Sequence, residues 1–488
     1  MGRAWCLLGL LTLAGCTMGP DFTPPEPATP SGWVDPSTRG GQAVTASDPD
    51  PHWWNSLNDP LLGSLEERAI TGNLDLQRAV LRIFAARAQV QVARAAGLPS
   101  LQGTGSYTHE QLGLKGPLQE QHVDQLLGNS QSGQGFLGAL TKPVDLFQAG
   151  FDASWELDLF GRVRRSVEQA KAQEEAAADS RDDALVSLEA EVAQTYAQLR
   201  GAQVLTKITT EEIATEQAVL SLTRQRRAKG LVSVLDVDQA ETQLNTVQAQ
   251  LPQFEQQTEL AINNLSLLLG LPPAALRAEL VEPGALPLGP PVVPVGLPAA
   301  LARRRPDIRQ AEAQLHAATA GVGVAVAQLF PDISLTGTLG LRATQAKYLS
   351  DWANHFYTAG GAVSVPIFEG GRLTGNLKLA RAEQGDAVLA YRQTVLTALR
   401  DVENALTAYR TEQEREQRLR ALVASAEDQL YLARNRYEHG LSSFIDVLSS
   451  ETTLVQARQQ WISSTMTVTT NLVALYKALG GGWEAQEN

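Results

Sequence analysis

One segment of this 488-residue chain occurs twice, at an offset of about 210 residues. Residues 224–244 return as residues 434–454 with roughly half of the positions identical, and the Leu-Gly dipeptide at 269–270 returns at 479–480. A repeat of this period is longer than a solenoid unit, so it indicates one duplicated module. We therefore expect two interlocked, pseudosymmetric halves of one elongated body rather than separate globular domains.

Each half is expected to contain very long helices. Apolar and small residues alternate at spacings of three and four, as in packed coiled helices; the spacing includes Val237, Ala240, Leu244 and Val247 in the first half and Val447, Ser450, Leu454 and Ala457 in the second. No proline interrupts residues 163–229 or 373–439, which permits a helix of roughly 65 residues, about 100 Å long, in each half. Pro252 lies in the first returning helix where the second half has Ile462, which predicts a kink in the first half only.

A tight turn is expected where each long helix ends. Gly230 and Gly440 follow the helical segments, and glycine tolerates the positive φ that commonly ends a helix. Ser233 and Ser443 can cap the returning helices, each with an aspartate three positions later in the first helical turn. The sequence therefore predicts two equivalent hairpin tips.

Four segments alternate apolar and polar residues: 101–108, 151–159, 333–342 and 357–367. One apolar and one polar face is what a barrel strand between lipid and water needs, although a half-buried strand of a soluble sheet also alternates. Four strands cannot close a barrel and an open edge is not viable in lipid, so membrane-spanning strands would require several chains to share one barrel. Asp152, Glu156 and Asp158 lie on the predicted inner face and suggest a lumen that favours cations, unless they are simply solvated.

The N-terminus has the pattern of an export signal. Arg3 precedes an apolar run at residues 5–14, which is too short to span a membrane as a helix. The following Leu-Ala-Gly-Cys sequence resembles the bacterial lipobox, which would make Cys16 the acylated first residue of the mature protein. The alternative is a plain signal peptide with an incidental cysteine. Thr17 in the next position resembles lipoproteins that are sorted to the outer membrane.

Proline-rich stretches divide the chain into segments. We expect a signal peptide at 1–15, a lipid-anchored leader at 16–52, a first repeat at 53–280, a linker at 281–298, a second repeat at 299–481 and a tail at 482–488. Each repeat is expected to run helix, two strands, long helix, turn and returning helix.

Composition argues against several classes of function. The net charge is −13, the pI is about 5.1, and Lys and Arg are scattered among Glu and Asp, so nucleic acid is not an expected partner. Cys6 and Cys16 are the only cysteines, and the six histidines are far apart, so neither a metal site nor another cofactor is expected. The sequence lacks a GxSxG motif and a phosphate-binding glycine loop, so an exported enzyme is disfavoured.

Six motifs in this order resemble one known family over essentially the whole chain: Cys16-Thr-Met-Gly-Pro-Asp-Phe22, Trp53-Trp54 with Asp59-Pro-Leu-Leu62, Trp155-Glu-Leu-Asp-Leu-Phe-Gly-Arg162, Arg304-Arg-Pro-Asp-Ile-Arg-Gln-Ala-Glu312, Phe330-Pro-Asp-Ile-Ser-Leu335 and Pro366-Ile-Phe-Glu-Gly-Gly-Arg372. They resemble the outer membrane factors of tripartite efflux systems, the TolC-like lipoproteins of the NodT type. The resemblance implies a mostly α-helical homotrimer in which four strands per chain form a twelve-stranded membrane barrel above a periplasmic helical tunnel. It also implies a passive exit duct in the outer membrane lipid, served by a periplasmic membrane-fusion adaptor and an inner-membrane pump of the RND type.

The resemblance also places functional residues at the hairpin tips. The adaptor-docking candidates are Gly230, Leu231, Val232, Ser233, Gly440, Leu441, Ser442 and Ser443. The candidates for latching a closed periplasmic aperture are Arg227, Asp236, Asp238, Tyr437 and Asp446. The alternative is that the tip residues only make the turns and that the aspartates of the returning helices only cap them.

Two other functions remain open from the sequence. A related duct could serve a type I secretion machine or a pump of another type, because the substrate depends largely on the pump. In a different class, the chain could be a non-conducting coiled-coil structural lipoprotein, although such a spacer has no use for the alternating strands. Multidrug export is the favoured interpretation. The sequence contains only three methionines, and this scarcity of soft sulfur ligands argues against the export of copper ions.

Overall fold

The computed structural model describes residues 17–26, 29–33, 43–45, 47, 50–111, 142–290 and 292–483. The expected signal peptide and Cys16 lie outside these residues. Within them the helices are α1 (Pro60–Gly72), α2 (Leu74–Ala95), α3 (Arg162–Ala228), α4 (Val234–Gln248), α5 (Leu251–Leu268), α6 (Arg277–Leu280), α7 (Pro298–Arg304), α8 (Pro306–Ala327), α9 (Arg372–Glu438) and α10 (Phe444–Ala478). The strands are β1 (Ala43–Thr45), β2 (Ser100–Glu110), β3 (Val144–Glu156), β4 (Val292–Pro294), β5 (Asp332–Ala343) and β6 (His355–Ser364).

The long helices confirm the expectation from the proline-free segments. Helices α3 and α9 each contain 67 residues and begin and end within one residue of the expected positions. The first returning helix breaks between α4 and α5, directly before Pro252, because proline cannot donate the backbone hydrogen bond of a helix interior. The second returning helix, α10, continues for 35 residues. None of the described helices is both long and apolar enough to cross a membrane.

The chain forms two compact units. Unit 1 contains Arg87–Ala172 and His316–Gly385 together with the leader up to Thr23. Unit 2 contains Pro24–Ala86, Gln173–Leu315 and the chain from Asp386 onward. Each long helix contributes residues to both units.

Unit 1 contains a four-stranded antiparallel sheet in the order β2-β3-β5-β6. The central β3–β5 pair joins a strand of the first half to a strand of the second. Asp152 of β3 lies opposite Gln102 of β2 and Thr338 of β5, and Phe151 of β3 lies opposite Leu339 of β5. Directly opposed residues share a face, so the sheet has one polar and one apolar side.

One sequence expectation for this sheet is wrong, because β3 ends at Glu156 and Asp158 is not a strand residue. The Asp158 carboxylate accepts backbone hydrogen bonds from Val163 at 3.0 Å and from Arg164 at 2.9 Å. Gly161, with φ of 81°, turns the chain between them. The residue is therefore used to start α3 and does not belong to the inner face of a strand.

Unit 2 has an apolar core in which the duplication is visible. Ile262 and Leu265 of α5 are fully buried, and so are Leu472 and Leu475 at the equivalent positions of α10. Trp53 stacks on Tyr476 of α10 with 5.0 Å between the ring centroids. Burial of each large apolar side chain stabilises the fold by about 1.5–3 kcal/mol, so the repeat preserves the positions that hold the unit together.

Candidate functional site

The first hairpin tip connects α3 to α4 in unit 2. Gly230 has φ of 72°, and its N–H donates to the Arg227 carbonyl at 2.9 Å. The N–H of Leu231 donates to the Arg226 carbonyl at 3.0 Å, so the last carbonyls of α3 are satisfied. Ser233 then starts α4 through a capping box: its N–H donates to the Asp236 carboxylate at 2.7 Å.

The second tip, between α9 and α10, repeats this geometry. Gly440 has φ of 70°, and the N–H of Leu441 donates to the Arg436 carbonyl at 2.8 Å. The N–H of Ser443 donates to the Asp446 carboxylate at 2.9 Å, and the capping box is again complete. The expected serine caps and glycine ends are therefore confirmed in both halves.

Both tips expose apolar side chains. Leu231 and Leu441 are each 69% exposed, and Leu235 and Ile445 are exposed in the following turn. Neither leucine side chain is needed for the hydrogen bonds of the turn, which are made by the backbone. Each hairpin therefore presents a small apolar surface at its end.

The two tips differ in the burial of the first residue of the returning helix. Val234 is exposed at the start of α4, whereas its equivalent Phe444 is buried at the start of α10. The Phe444 ring packs against Tyr437 with 5.5 Å between centroids, and the Arg226 guanidinium lies 5.2 Å from the Tyr437 ring. Tyr437 therefore connects the end of the first hairpin's long helix to the second hairpin.

The five expected aperture residues occupy different local environments. Asp236 and Asp446 make the caps described above. Arg227 donates to a carbonyl of its own turn at 3.5 Å, Asp238 is exposed on α4, and Tyr437 packs against Phe444. A role of these residues in closing an aperture stays a prediction.

An ion pair that the sequence reasoning missed bridges the two helices of each hairpin. Arg224 of α3 lies 3.2 Å from Glu241 of α4, and at the equivalent positions Arg434 of α9 pairs with Glu451 of α10. The Glu241 side chain is half exposed, whereas that of Glu451 is only 4% exposed. The signal was present in the sequence, because both members of the pair recur at the repeat offset.

On the polar face of the sheet in unit 1, the remaining two acidic candidates have different partners. The Asp152 carboxylate accepts hydrogen bonds at 2.8 Å from Thr104 of β2 and at 2.8 Å from Thr338 of β5. Glu156, at the end of β3, forms an ion pair with Arg162. The hydrogen-bond partners of Asp152 are thus neutral hydroxyls that leave its negative charge in place, whereas Glu156 is paired with an arginine.

Metal ligation has little structural support. In the part of the chain that the structure describes, no group of three or more His, Cys, Asp or Glu side chains has the geometry to hold a metal ion. The carboxylates that do converge, Glu212, Glu216 and Glu451 in unit 2, lie beside arginines.

The family of outer membrane efflux proteins matches this sequence over residues 65–271 and 297–481, the two halves of the duplication. The chain belongs to the outer membrane efflux protein family. It is 32% identical over 476 residues to the probable efflux pump outer membrane protein TtgC of Pseudomonas putida, covering 97% of this chain and 94% of that protein. It is 33% identical over 480 residues to the outer membrane protein OprJ of Pseudomonas aeruginosa, covering 98% and 95%.

A solved structure confirms the fold of this efflux protein. The outer-membrane channel OprN superimposes with a TM-score of 0.85 at 32% identity, over 96% of this chain and all of that one. The expected TolC-like architecture of long helical hairpins and a small antiparallel sheet is therefore confirmed. The outer membrane location and the role as the exit duct of an efflux system are also confirmed. The family consists of channel proteins.

Proposed function

We propose that three copies of this chain join their sheets into one twelve-stranded barrel, and that the duct conducts small molecules delivered by a periplasmic adaptor and an RND-type inner-membrane pump. The observation that carries this proposal is a four-stranded amphipathic sheet with two free edges. Within the described residues, β2 and β6 each pair on one side only. Free edges leave backbone groups unpaired, and lipid offers them no partner.

The faces of the sheet support the same assembly. Leu101, Phe151, Leu339, Tyr357 and Val363 are all exposed on the apolar face of the single chain. Exposure of that many large apolar side chains is unfavourable in water and favourable against hydrocarbon. The opposite face carries Asp152 and the threonines that donate to it, as a water-filled lumen requires.

Edge cross-linking tests the assembly. Ser106→Cys in β2 and Thr358→Cys in β6 place thiols on the two free edges, so oxidation in the outer membrane should give covalent trimers on a denaturing gel. Gln148→Cys with Thr336→Cys, on the inner strands β3 and β5, is the matched control and should give no intermolecular product. A detergent-purified protein that is monomeric by mass measurement, with no cross-link from the edge pair, would refute the shared barrel.

The hairpin tips are proposed as the adaptor-docking surface. The support is that Gly230–Ser233 and Gly440–Ser443 have the same backbone geometry and the same exposed leucine, although the turns themselves do not require that side chain. Small, exposed residues on either side allow another helical end to approach closely. Val232 and Ser442 lie at the equivalent, half-buried positions of the two tips.

Charge placement on the two leucines tests the docking. The double variant Leu231→Asp and Leu441→Asp should keep its folding and trimer formation but lose export, measured as accumulation of ethidium in cells that depend on this duct. Leu222→Asp is the control, because Leu222 is also exposed on α3 but lies about 12 Å from the tip at 1.5 Å per residue. Equal accumulation in the control and the tip variant would contradict a docking role.

Three further assignments belong to this proposal. Cys16 is proposed to be acylated. Labelled palmitate should then be incorporated into wild type but not into Cys16→Ser. The RND type of the pump is supported only by the family resemblance, and mass spectrometry of proteins that co-purify after cross-linking distinguishes it from a type I secretion machine or another pump. The aperture residues Arg227, Asp236, Asp238, Tyr437 and Asp446 are proposed to meet between neighbouring chains, which structures of the assembled trimer would show.

A further inference from the structure

Three carboxylates converge between the two hairpins of unit 2. Glu212 and Glu216 lie one helical turn apart on α3, and Glu451 lies on α10. Glu216 is fully buried and Glu451 is 3% exposed. Unpaired charged groups are rarely buried to this extent, because removal of a carboxylate from water is costly.

Their hydrogen bonding is incomplete. Within the described part of the chain, neither carboxylate oxygen of Glu216 has a hydrogen bond of normal geometry, although the amide of Gln243 on α4 faces it. The Oε2 of Glu451 is also buried without a partner. Glu451 lines a cavity of about 650 Å³ together with Glu212, Leu430, Tyr431 and Trp461. The Glu216 carboxyl group is thus buried without hydrogen bonds that would stabilise its charged form.

The surrounding charges do not balance the cluster. From α9, Arg434 pairs with Glu451. From α10, Arg458 faces Glu212 but is already paired with Glu427 of α9 at 2.6 Å. From α4 the facing group is the neutral Gln243. One arginine is therefore available for three converging carboxylates, and a proton is the smallest ligand that can relieve the remaining repulsion.

The duplication provides an internal comparison. The positions equivalent to Glu212 and Glu216 are Leu422 and Ala426 in the second half. The partner of Arg224 in the first hairpin, Glu241, is half exposed and needs no neutralisation. The acidic cluster is thus present on one side of the pseudosymmetric pair only, so it is not required by the shared hairpin fold.

We propose that Glu212 and Glu216 of the first hairpin, facing Glu451 of the second, form a proton-binding latch that holds the two hairpins together when protonated and loosens them as the pH rises. At 1.5 Å per residue, the three carboxylates lie about 15–30 Å from the tips, on the same helices. Its existence depends neither on the trimer nor on the barrel. Only its effect on conduction rests on the proposed function.

The titration lies in a physiological range. Burial, followed by repulsion from Glu451, raises the pKa of Glu212 to about 7 and the pKa of Glu216 to about 7, from an ordinary 4.5. The folded state therefore binds protons more tightly than the unfolded state. The stabilisation is complete below pH 4.5, declines as the pH rises, and is lost above about 7.

Hydrogen exchange on the full-length, detergent-purified protein tests the latch. The measured quantity is the protection of amides in residues 208–220 and 447–458, corrected for the intrinsic pH dependence of exchange. In wild type this protection should fall by about tenfold or more between pH 5 and 8, since one pKa unit corresponds to a tenfold change in an equilibrium constant. Glu212→Gln with Glu216→Gln should remove that dependence and keep these helices protected at pH 8. Glu241→Gln is the matched control in the other hairpin and should behave as wild type.

Two results would overturn the proposal: a wild type with flat protection, or a double Gln variant that retains the wild-type pH dependence. If the double variant does not fold, Glu212→Gln alone is informative, because this half-buried residue should remove part of the dependence. Single-channel recordings provide a separate readout, in which wild type should open more often at pH 8 than at pH 6 and the double Gln variant should not. A silent channel with pH-dependent protection would contradict the conducting duct but leave the latch intact.

Discussion

The Thr338 hydroxyl donates a hydrogen bond to the Asp152 carboxylate at 2.8 Å, and this contact joins a strand of the second repeat to a strand of the first. Thr104 makes the same contact from β2. Two neutral hydroxyls orient the carboxylate without removing its charge. In a barrel built from three chains, Asp152 would form a ring of three negative charges at one level of the lumen.

Asp152→Asn should therefore reduce cation preference without disturbing the sheet, because asparagine has the same shape, accepts from one threonine hydroxyl through Oδ1 and donates to the other through Nδ2. The expected result is a reversal potential closer to zero in planar bilayers under a salt gradient. Asp75→Asn, which removes an exposed carboxylate on α2, is the control and should leave the reversal potential unchanged. Anion preference in wild type would contradict the acidic lumen altogether.

A second prediction concerns two glycines with the same backbone conformation. Gly230 has φ of 72° and open space around it, whereas Gly270 has φ of 70° and its α-hydrogen faces the Gly72 carbonyl. Gly230→Ala should cost only about 1–2 kcal/mol for the left-handed conformation. In Gly270→Ala the new methyl group also overlaps that carbonyl, which should add about 1–3 kcal/mol. Thermal unfolding of the two variants checks this order, and equal losses would contradict the close approach.

A third prediction follows from a buried carboxyl pair in unit 2. Glu66 and Glu189 are almost completely buried. Burial raises the pKa of Glu189 to about 9, and burial together with repulsion from Glu189 raises the pKa of Glu66 well above its ordinary value. The stabilisation from Glu189 is complete below pH 4.5 and is lost as the pH rises through about 9, because the folded state must then release a proton that it binds more tightly than the unfolded chain.

Glu189→Gln should consequently weaken the pH dependence of stability. The wild-type Tm should fall between pH 5 and 9. The Tm of the variant should fall by a few degrees less over the same range, since 1 kcal/mol shifts Tm by roughly 2–4 °C in domains of about 150–250 residues and by less in larger ones. Glu191→Gln, which changes an exposed neighbour on α3, should follow the wild-type curve. Parallel curves for wild type and Glu189→Gln would show that this carboxyl does not titrate differently on folding.

The sequence predicted the elements that depend on local signals. Absence of proline and the positions of Gly230 and Gly440 were sufficient to locate α3, α9 and both tips, because proline and positive-φ glycine act within one turn of their own position. Pro252 likewise marked the break before α5. In contrast, alternation alone extended β3 as far as Asp158, because the pattern continues through residues that have left the sheet.

The sequence could not predict sites that depend on which helices meet. Glu216 and Glu451 are 235 positions apart, and nothing in the periodicity of either helix indicates that they face each other. Their burial follows from packing between hairpins, which is a tertiary property. The Arg434 pair with Glu451 could have been found, since its copy lies at the same spacing in the first half.

The last prediction concerns the leader that follows Cys16, which unit 1 holds through Arg165. The Arg165 side chain is 4% exposed. It donates to the Met18 carbonyl at 3.2 Å and to the Asp21 carboxylate at 2.6 Å. Gly19 also packs directly against the backbone of Gly323, where a Cβ would not fit. The leader is therefore held by charge-assisted hydrogen bonds and by close backbone packing. A substitution at Arg165 can remove the hydrogen bonds without disturbing the backbone packing.

Arg165→Met should release the leader while keeping the helix, because methionine retains the apolar stem but donates no hydrogen bond. Hydrogen bonds to charged groups contribute about 1.5–3 kcal/mol each, so cleavage of residues 17–26 in limited proteolysis should accelerate by about tenfold or more. Lys171→Met, less than two turns later on α3 and exposed, is the matched control and should be cleaved at the wild-type rate. If Arg165→Met is cleaved no faster than wild type, backbone packing alone holds the leader, and Gly19→Ala, whose new methyl group would overlap the Gly323 backbone, should then release it.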